Sequence, residues 1–166
     1  RIVPVKHLED VSAIADRLPE VPFTVIGYLP AHGRGYLEQL RRGNRAGNVK
    51  FLPNLDEASK REYLSRSKVV VNPSRNDTLV IALLEAMAAG LAPVAHASGG
   101  PLEYLEPHQL YRTIDEAVTA VQLALDVPAG PSDLASAERA RELLDPARLE
   151  RELVPAVEHA FVARRR

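Results

Sequence analysis

Residues 68–100 read KVVVNPSRNDTLVIALLEAMAAGLAPVAHASGG. Lys68–Asn72 is a β-branched run without polar alternation, which predicts a strand buried on both faces. Leu79–Ala89 is rich in Ala and Leu and stops at Gly90, which predicts a helix. Ala92–Ala97 reads as the next short strand, and Gly99-Gly100-Pro101 turns into another helix. Strand, helix and strand in direct succession make a parallel crossover.

The same alternation extends outward. Val11, Ile14, Ala15 and Leu18 share one helical face, with Asp10 near its start. Phe23–Ile26 is a strand ending at Gly27. Tyr36, Leu37 and Leu40 mark a helix closed near Gly43–Asn44, and Asn48–Leu52 is a strand ended by Pro53. Asp56 can cap a helix that runs to about Ser67 and turns Tyr63 and Leu64 inward. Downstream, Leu110–Thr113 is a weak strand, Ile114–Leu125, Leu134–Leu144 and Pro146–Ala163 are helical, and Pro128–Pro131 is a turn. Right-handed crossovers then give one α/β domain over residues 1–166: a Rossmann-like, doubly wound parallel sheet with helices on both faces. The last 20 or so residues form a C-terminal helix.

Composition closes off several classes. The chain has 166 residues with 21 Lys+Arg against 22 Asp+Glu, so no basic excess points to nucleic acid or to an acidic membrane surface. It has no cysteine, which removes thiol catalysis, disulfides and thiolate-ligated metals. Its five histidines, at 7, 32, 96, 108 and 159, include no i,i+4 pair, and no metal site is expected. The longest apolar stretch, Leu79–Ala95, is broken by Glu85, Gly90 and Pro93 and is too short to span a membrane. No leader peptide is read, and a cytoplasmic setting is expected. The chain starts at Arg1 within an apparent strand-to-helix connection, so it is expected to be a piece of a larger protein.

Ligands of such a sheet bind at the carboxyl ends of its strands, here Gly27, Pro53, Pro73–Asn76 and Ser98–Gly100. Three features fall there. Arg1 and Lys6, spaced R-x4-K with Lys6 at the start of the first helix, can hold a diphosphate; a solvated surface pair is the plain alternative. Asp77 and Glu85 stand eight apart. Glu85 lies among Ala82, Leu84, Ala86, Met87 and Ala88 and needs a partner, either sugar or ribose hydroxyls or a structural base. Ser98-Gly99-Gly100-Pro101 can bring backbone amides close to an anion, or can be a tight turn. His96 can touch a sugar or phosphate, against the plainer reading of a satisfied core histidine.

Together these pieces resemble the group 1 glycosyltransferases, the retaining, nucleotide-sugar-dependent class with two Rossmann-like domains (the GT-B type). The family pattern is an acid pair E-x7-E, then EAMA-x-G, a P-V-(I/V)-A strand and a G-G turn. Here Asp77, Glu85-Ala86-Met87-Ala88-Ala89-Gly90, Ala92–Ala95 and Gly99-Gly100 follow in that order. Arg1 to Lys6 matches the R-x4-K, and the strands at Asn48–Leu52 and Val69–Ser74 match as well. The resemblance runs from Arg1 to about Leu105.

It implies a carboxyl-terminal donor-binding domain whose amino-terminal, acceptor-binding partner domain is absent. Glu85 would bind the ribose and Asp77 the donor sugar, while Arg1 and Lys6 would neutralise the departing diphosphate. Gly27, Leu52, Thr78, Leu79, Val80, Gly99 and Gly100 would line the donor, the loop from Leu52 to Leu55 lying near the base. No cofactor or metal is implied beyond the nucleoside diphosphate sugar itself, and membrane association only through the absent domain. Two departures stand out. The first acid is Asp77 in place of Glu, and Leu79-Val80 replaces Phe-Gly, so Val80 is expected to crowd the donor's approach. The alternative is a degenerate, non-catalytic binding or regulatory domain of the same fold.

Overall fold

The computed structural model describes residues 1–126, 131–148 and 151. In chain order they form α1 (Glu9–Arg17), β1 (Phe23–Gly27), α2 (Arg34–Gly43), β2 (Val49–Pro53), α3 (Glu57–Arg66), β3 (Val69–Asn72), α4 (Ile81–Ala88), β4 (Ala92–His96), α5 (Pro101–Tyr104), β5 (Leu110–Tyr111), α6 (Ile114–Asp126) and α7 (Pro131–Leu144). The turn predicted at Pro128–Pro131 and the helix predicted from Pro146 to Ala163 lie largely outside the described residues.

Every strand pairing is parallel. β1 pairs with β2, from Phe23 opposite Val49 to Gly27 opposite Pro53. β3, β4 and β5 pair in that order, with Val69 opposite Ala92, Ala95 opposite Leu110 and His96 opposite Tyr111. Apolar packing joins the two groups: Phe23 of β1 meets the same cluster as Val69 and Val71 of β3.

Adjacent residues of a strand point to opposite faces, and here they feed different cores. Val69, Val71, Val94 and Tyr111 face a cluster closed by Ile14 and Leu18 at the α1 end and by Ala117 and Val121 of α6. Val70, Ala95 and Leu110 face another, closed by Leu83, Leu84 and Met87 of α4 and Ala140 of α7. That is a Rossmann-like α/β arrangement with helices on both faces. α7 is tied to α4 by Arg141, which donates to the Ala88 carbonyl at 2.9 Å. A third cluster, Ile2, Val11, Val25, Leu37, Leu40 and Phe51, packs β1 and β2 against α1 and α2; a fully buried Leu, Ile or Val side chain contributes about 1.5–3 kcal/mol.

Three local expectations change. β3 has an apolar cluster on each face, as expected, but stays only half-buried along its length; it has a hydrogen-bonded neighbour on one edge only. α4 starts at Ile81, two residues late, and Gly90 ends it at φ 91°, a left-handed turn that favours glycine. Lys6 precedes α1, closing a 3-10 turn at Pro4–Lys6. Among the described residues, no helix is long and apolar enough to cross a membrane.

Candidate functional site

The site begins at the end of β1. Ile2, fully buried, donates its N–H to the Tyr28 carbonyl at 2.8 Å and fixes the first residues beside Gly27. A Cβ on Gly27 would stand 3.3 Å from Ile2 Cγ1, so glycine permits this close approach. The Gly27 carbonyl accepts from the Asn54 N–H at 3.0 Å, and Asn54 Oδ1 accepts from the Leu29 N–H at 2.9 Å. Asn54 sits at φ 59°, a conformation asparagine tolerates well. This clasp joins the ends of β1 and β2, where Leu52 is half-buried.

From there Lys6 reaches across to the loop after β3. Its Nζ lies 2.6 Å from both Asp77 Oδ1 and Oδ2. The two side chains retain only 27% and 24% exposure. Burial alone would raise the Asp77 pKa. Hydrogen bonds from Lys6 and Ser74 and the Lys6 charge outweigh it and hold the carboxyl below its usual value. Asp77 is therefore ionised at neutral pH. Arg1 is exposed nearby in the chain and has no ion-pair partner among the described residues.

The glycine pair proves to be part of this clamp. A Cβ on Gly100 would fall 1.6 Å from the Thr78 carbonyl oxygen, and one on Gly99 would fall 2.3 Å from that of Asp77. The Gly100 N–H donates to the Asp77 carbonyl at 3.0 Å. So the β4–α5 turn packs directly on the backbone of the loop that carries Asp77. The Gly100 amide is therefore spent on the protein itself.

Glu85 is the fifth of the eight residues of α4. Its side chain is 39% exposed, so the expected apolar surroundings hold only its neighbours along the helix. Lys60 of α3 donates to Oε2 at 2.8 Å. This base was not anticipated, and it partly supports the structural-partner reading. Val80 corrects another expectation. Its side chain is 7% exposed and packs with Leu83, Leu84 and Met87, so it faces the core and cannot crowd a donor. Leu79 is the exposed member of that pair, at 48%, and Thr78 is exposed beside it.

His96 ends β4 half-buried. Its Nδ1 lies 3.0 Å from Ser98 Oγ, and its ring meets Tyr111 edge-on at 5.4 Å. Burial, then the nearby Arg75 charge, holds its pKa below the usual value, so the ring is neutral at pH 7. That is the satisfied histidine of the plainer reading. Arg75 itself pairs with Asp10 at 3.2 Å, pinning the same loop to α1. An open groove of about 530 Å³ between α1 and α2 is lined by none of these residues.

The family described as glycosyl transferases group 1 matches residues 6–137. The chain belongs to this family. Other likenesses agree with the placement of this group 1 glycosyl transferase chain. A sulfoquinovosyl transferase of Arabidopsis thaliana is 33% identical over 95 residues, which is 57% of this chain and 18% of that protein. Sucrose-phosphate synthase from Thermosynechococcus elongatus superposes with TM-score 0.81 at 23% identity, over 98% of this chain and 44% of that one. Anabaena HepE, solved with UDP and glucose, gives TM-score 0.82 at 18% identity, over 95% and 46%. The two solved neighbours establish the fold as that of GT-B glycosyltransferases. The chain spans less than half of either and under a fifth of the plant relative.

Lys60 was missed from the sequence, while Ser74 and Asn54 were covered only as members of the loops Pro73–Asn76 and Leu52–Leu55. Lys60 had a readable signal: it stands three and four residues before Tyr63 and Leu64, the pair assigned to the inner face of α3.

Proposed function

We propose that this chain is the donor-binding domain of a retaining glycosyltransferase, which moves a sugar from a nucleoside diphosphate sugar to an acceptor held by a second, amino-terminal domain. The observation that carries the reading is the Lys6–Asp77 pair, which sets a cation and a carboxylate together at the loop that follows β3. Lys6 has three N–H donors. It can keep one oxygen of Asp77 and turn the others to a diphosphate, which frees the second Asp77 oxygen for a sugar hydroxyl.

In the reaction the bond between the sugar's anomeric carbon and the diphosphate oxygen breaks. The acceptor hydroxyl oxygen forms the new bond on the same face, its proton passes to the departing diphosphate oxygen, and the diphosphate leaves with the bonding electron pair. Arg1 and Lys6 stabilise that negative charge, and Glu85 holds the nucleoside through its ribose hydroxyls. Thr78 and Leu79 border the donor, and a cytoplasmic setting belongs to the same reading. As an isolated domain the chain binds donor and turns over little or none.

Thermal unfolding with uridine, guanosine and adenosine diphosphates and their sugars tests this. A ligand at about 100 times its Kd adds roughly 2.7 kcal/mol, which raises Tm by about 5–10 °C for a domain of this size. The expected result is a rise with one base, lost in Glu85→Ala. No rise with any ligand would leave the degenerate, non-catalytic domain as the better account, with Lys6 and Asp77 satisfying only each other.

A further inference from the structure

Helix α3 is an unusual neighbour for a binding site. It contains no fully buried residue. Asp56 caps it by accepting from the Ser59 N–H at 2.8 Å, and Lys50 Nζ meets Tyr63 OH at 3.0 Å. Its link to α4 is Lys60, whose Nζ lies 2.8 Å from Glu85 Oε2 and 3.7 Å from Glu57 Oε2. One ammonium therefore serves two carboxylates. Among the described residues Glu85 Oε1 accepts no hydrogen bond, and the side chain remains 39% exposed. The carboxylate is held by one oxygen and offered by the other. The helix that holds it begins four residues beyond Pro53, directly after the strand end assigned to the base.

We propose that Lys60 is the positioning residue of Glu85: it fixes Oε2 so that Oε1 is presented to the ribose hydroxyls of a nucleoside diphosphate. The proposal rests on the donor-binding reading given above. A free glutamate on a helix surface samples several rotamers, and fixing one before the ligand arrives removes that ordering cost from binding. The hydrogen bond to Glu85 raises the Lys60 pKa, so the ammonium stays charged throughout the range in which binding would be measured.

The test uses calorimetric titration of the whole chain with uridine, guanosine and adenosine diphosphates, each beside its 2′,3′-dideoxy counterpart. Lys60→Met is expected to weaken the bound ribonucleotide roughly 3- to 10-fold, the range of one charge-assisted hydrogen bond acting through a partner. It should leave the dideoxy form within about twofold, because that form has no hydroxyl for Glu85 to hold. Lys60→Arg should restore most of the affinity, and Lys60→Met should have no further effect in a Glu85→Gln background. A merely structural lysine would lower Tm and shift both ligand forms alike, which overturns the proposal. Unchanged affinity for the ribonucleotide in Lys60→Met overturns it while leaving the donor-binding reading intact. Failure of every diphosphate to bind the unmodified chain overturns both.

Discussion

Two lysine–carboxylate pairs stand at the site, and they are built differently. Lys6 takes both oxygens of Asp77 at 2.6 Å, with both side chains about three-quarters covered. It joins residues 71 apart in sequence, and the Gly99-Gly100 turn presses on the same loop from behind. Lys60 takes one oxygen of Glu85, leaves the other without a partner among the described residues, and comes from a helix with nothing fully buried. The chemistry is the same in both, a carboxylate and an ammonium. The closed pair shapes the loop, and a ligand must displace one of its contacts. The open pair already has an acceptor to offer.

The comparison is broken most severely at Gly100. Gly100→Ala would drive a methyl into the Thr78 carbonyl, where a Cβ stands at 1.6 Å. The backbone must shift and carry Asp77 with it. Urea unfolding should register a loss of about 2–4 kcal/mol, an overpacking cost at the high end because the neighbour is backbone. Diphosphate binding should vanish with it.

Removing one member of the closed pair comes next. Lys6→Met should cost about 1–2 kcal/mol, the penalty of leaving a half-buried carboxylate short of its partner, reduced by solvent access. The pH profile sharpens the point. The folded Asp77 pKa lies below its ordinary 3.8. Its contribution is therefore fully present above about pH 4 and is lost as pH falls through the lower folded value. Stability curves of the unmodified chain and Asp77→Asn should be apart at neutral pH and converge in acid. Parallel curves down to the lowest pH would contradict the ion pair.

The smallest effect is expected at Arg75→Gln. This pair with Asp10 is single and half-exposed on the arginine side, so less than about 1 kcal/mol should be lost, and less again in high salt. A larger loss would mean that the loop is anchored to α1 more than to Lys6.

The alternation of strands and helices was legible because the periods differ so plainly: Val69-Val70-Val71 against the four-spaced Leu and Ala of α4. Gly90 and Asp56 marked real helix ends by turn and cap chemistry that operates within a few residues. β3 was read rightly as covered on both faces, but its depth was overestimated, because an all-valine run does not reveal how many of its edges are paired. Val80 was misjudged for a question of phase. At the turn into α4 one residue faces solvent and the next the core, and no local signal says which. The acid pair Asp77 and Glu85 was readable, but their lysines come from distant segments, and that pairing is a property of the folded chain. The glycine pair was noticed for the right freedom and the wrong neighbour: it accommodates the protein's own backbone.

Helix α3 carries one further consequence. An element that buries no residue is held by a few polar contacts, and such elements open to solvent far below the free energy of global unfolding. Its amide protons should therefore exchange with deuterium earlier than those of α4, whose Leu83, Leu84 and Met87 are locked in the core. If a ligand on Glu85 tightens the Lys60 contact, exchange at α3 should slow when the ligand is added, which makes this helix an internal gauge of the site that needs no attached probe and no acceptor.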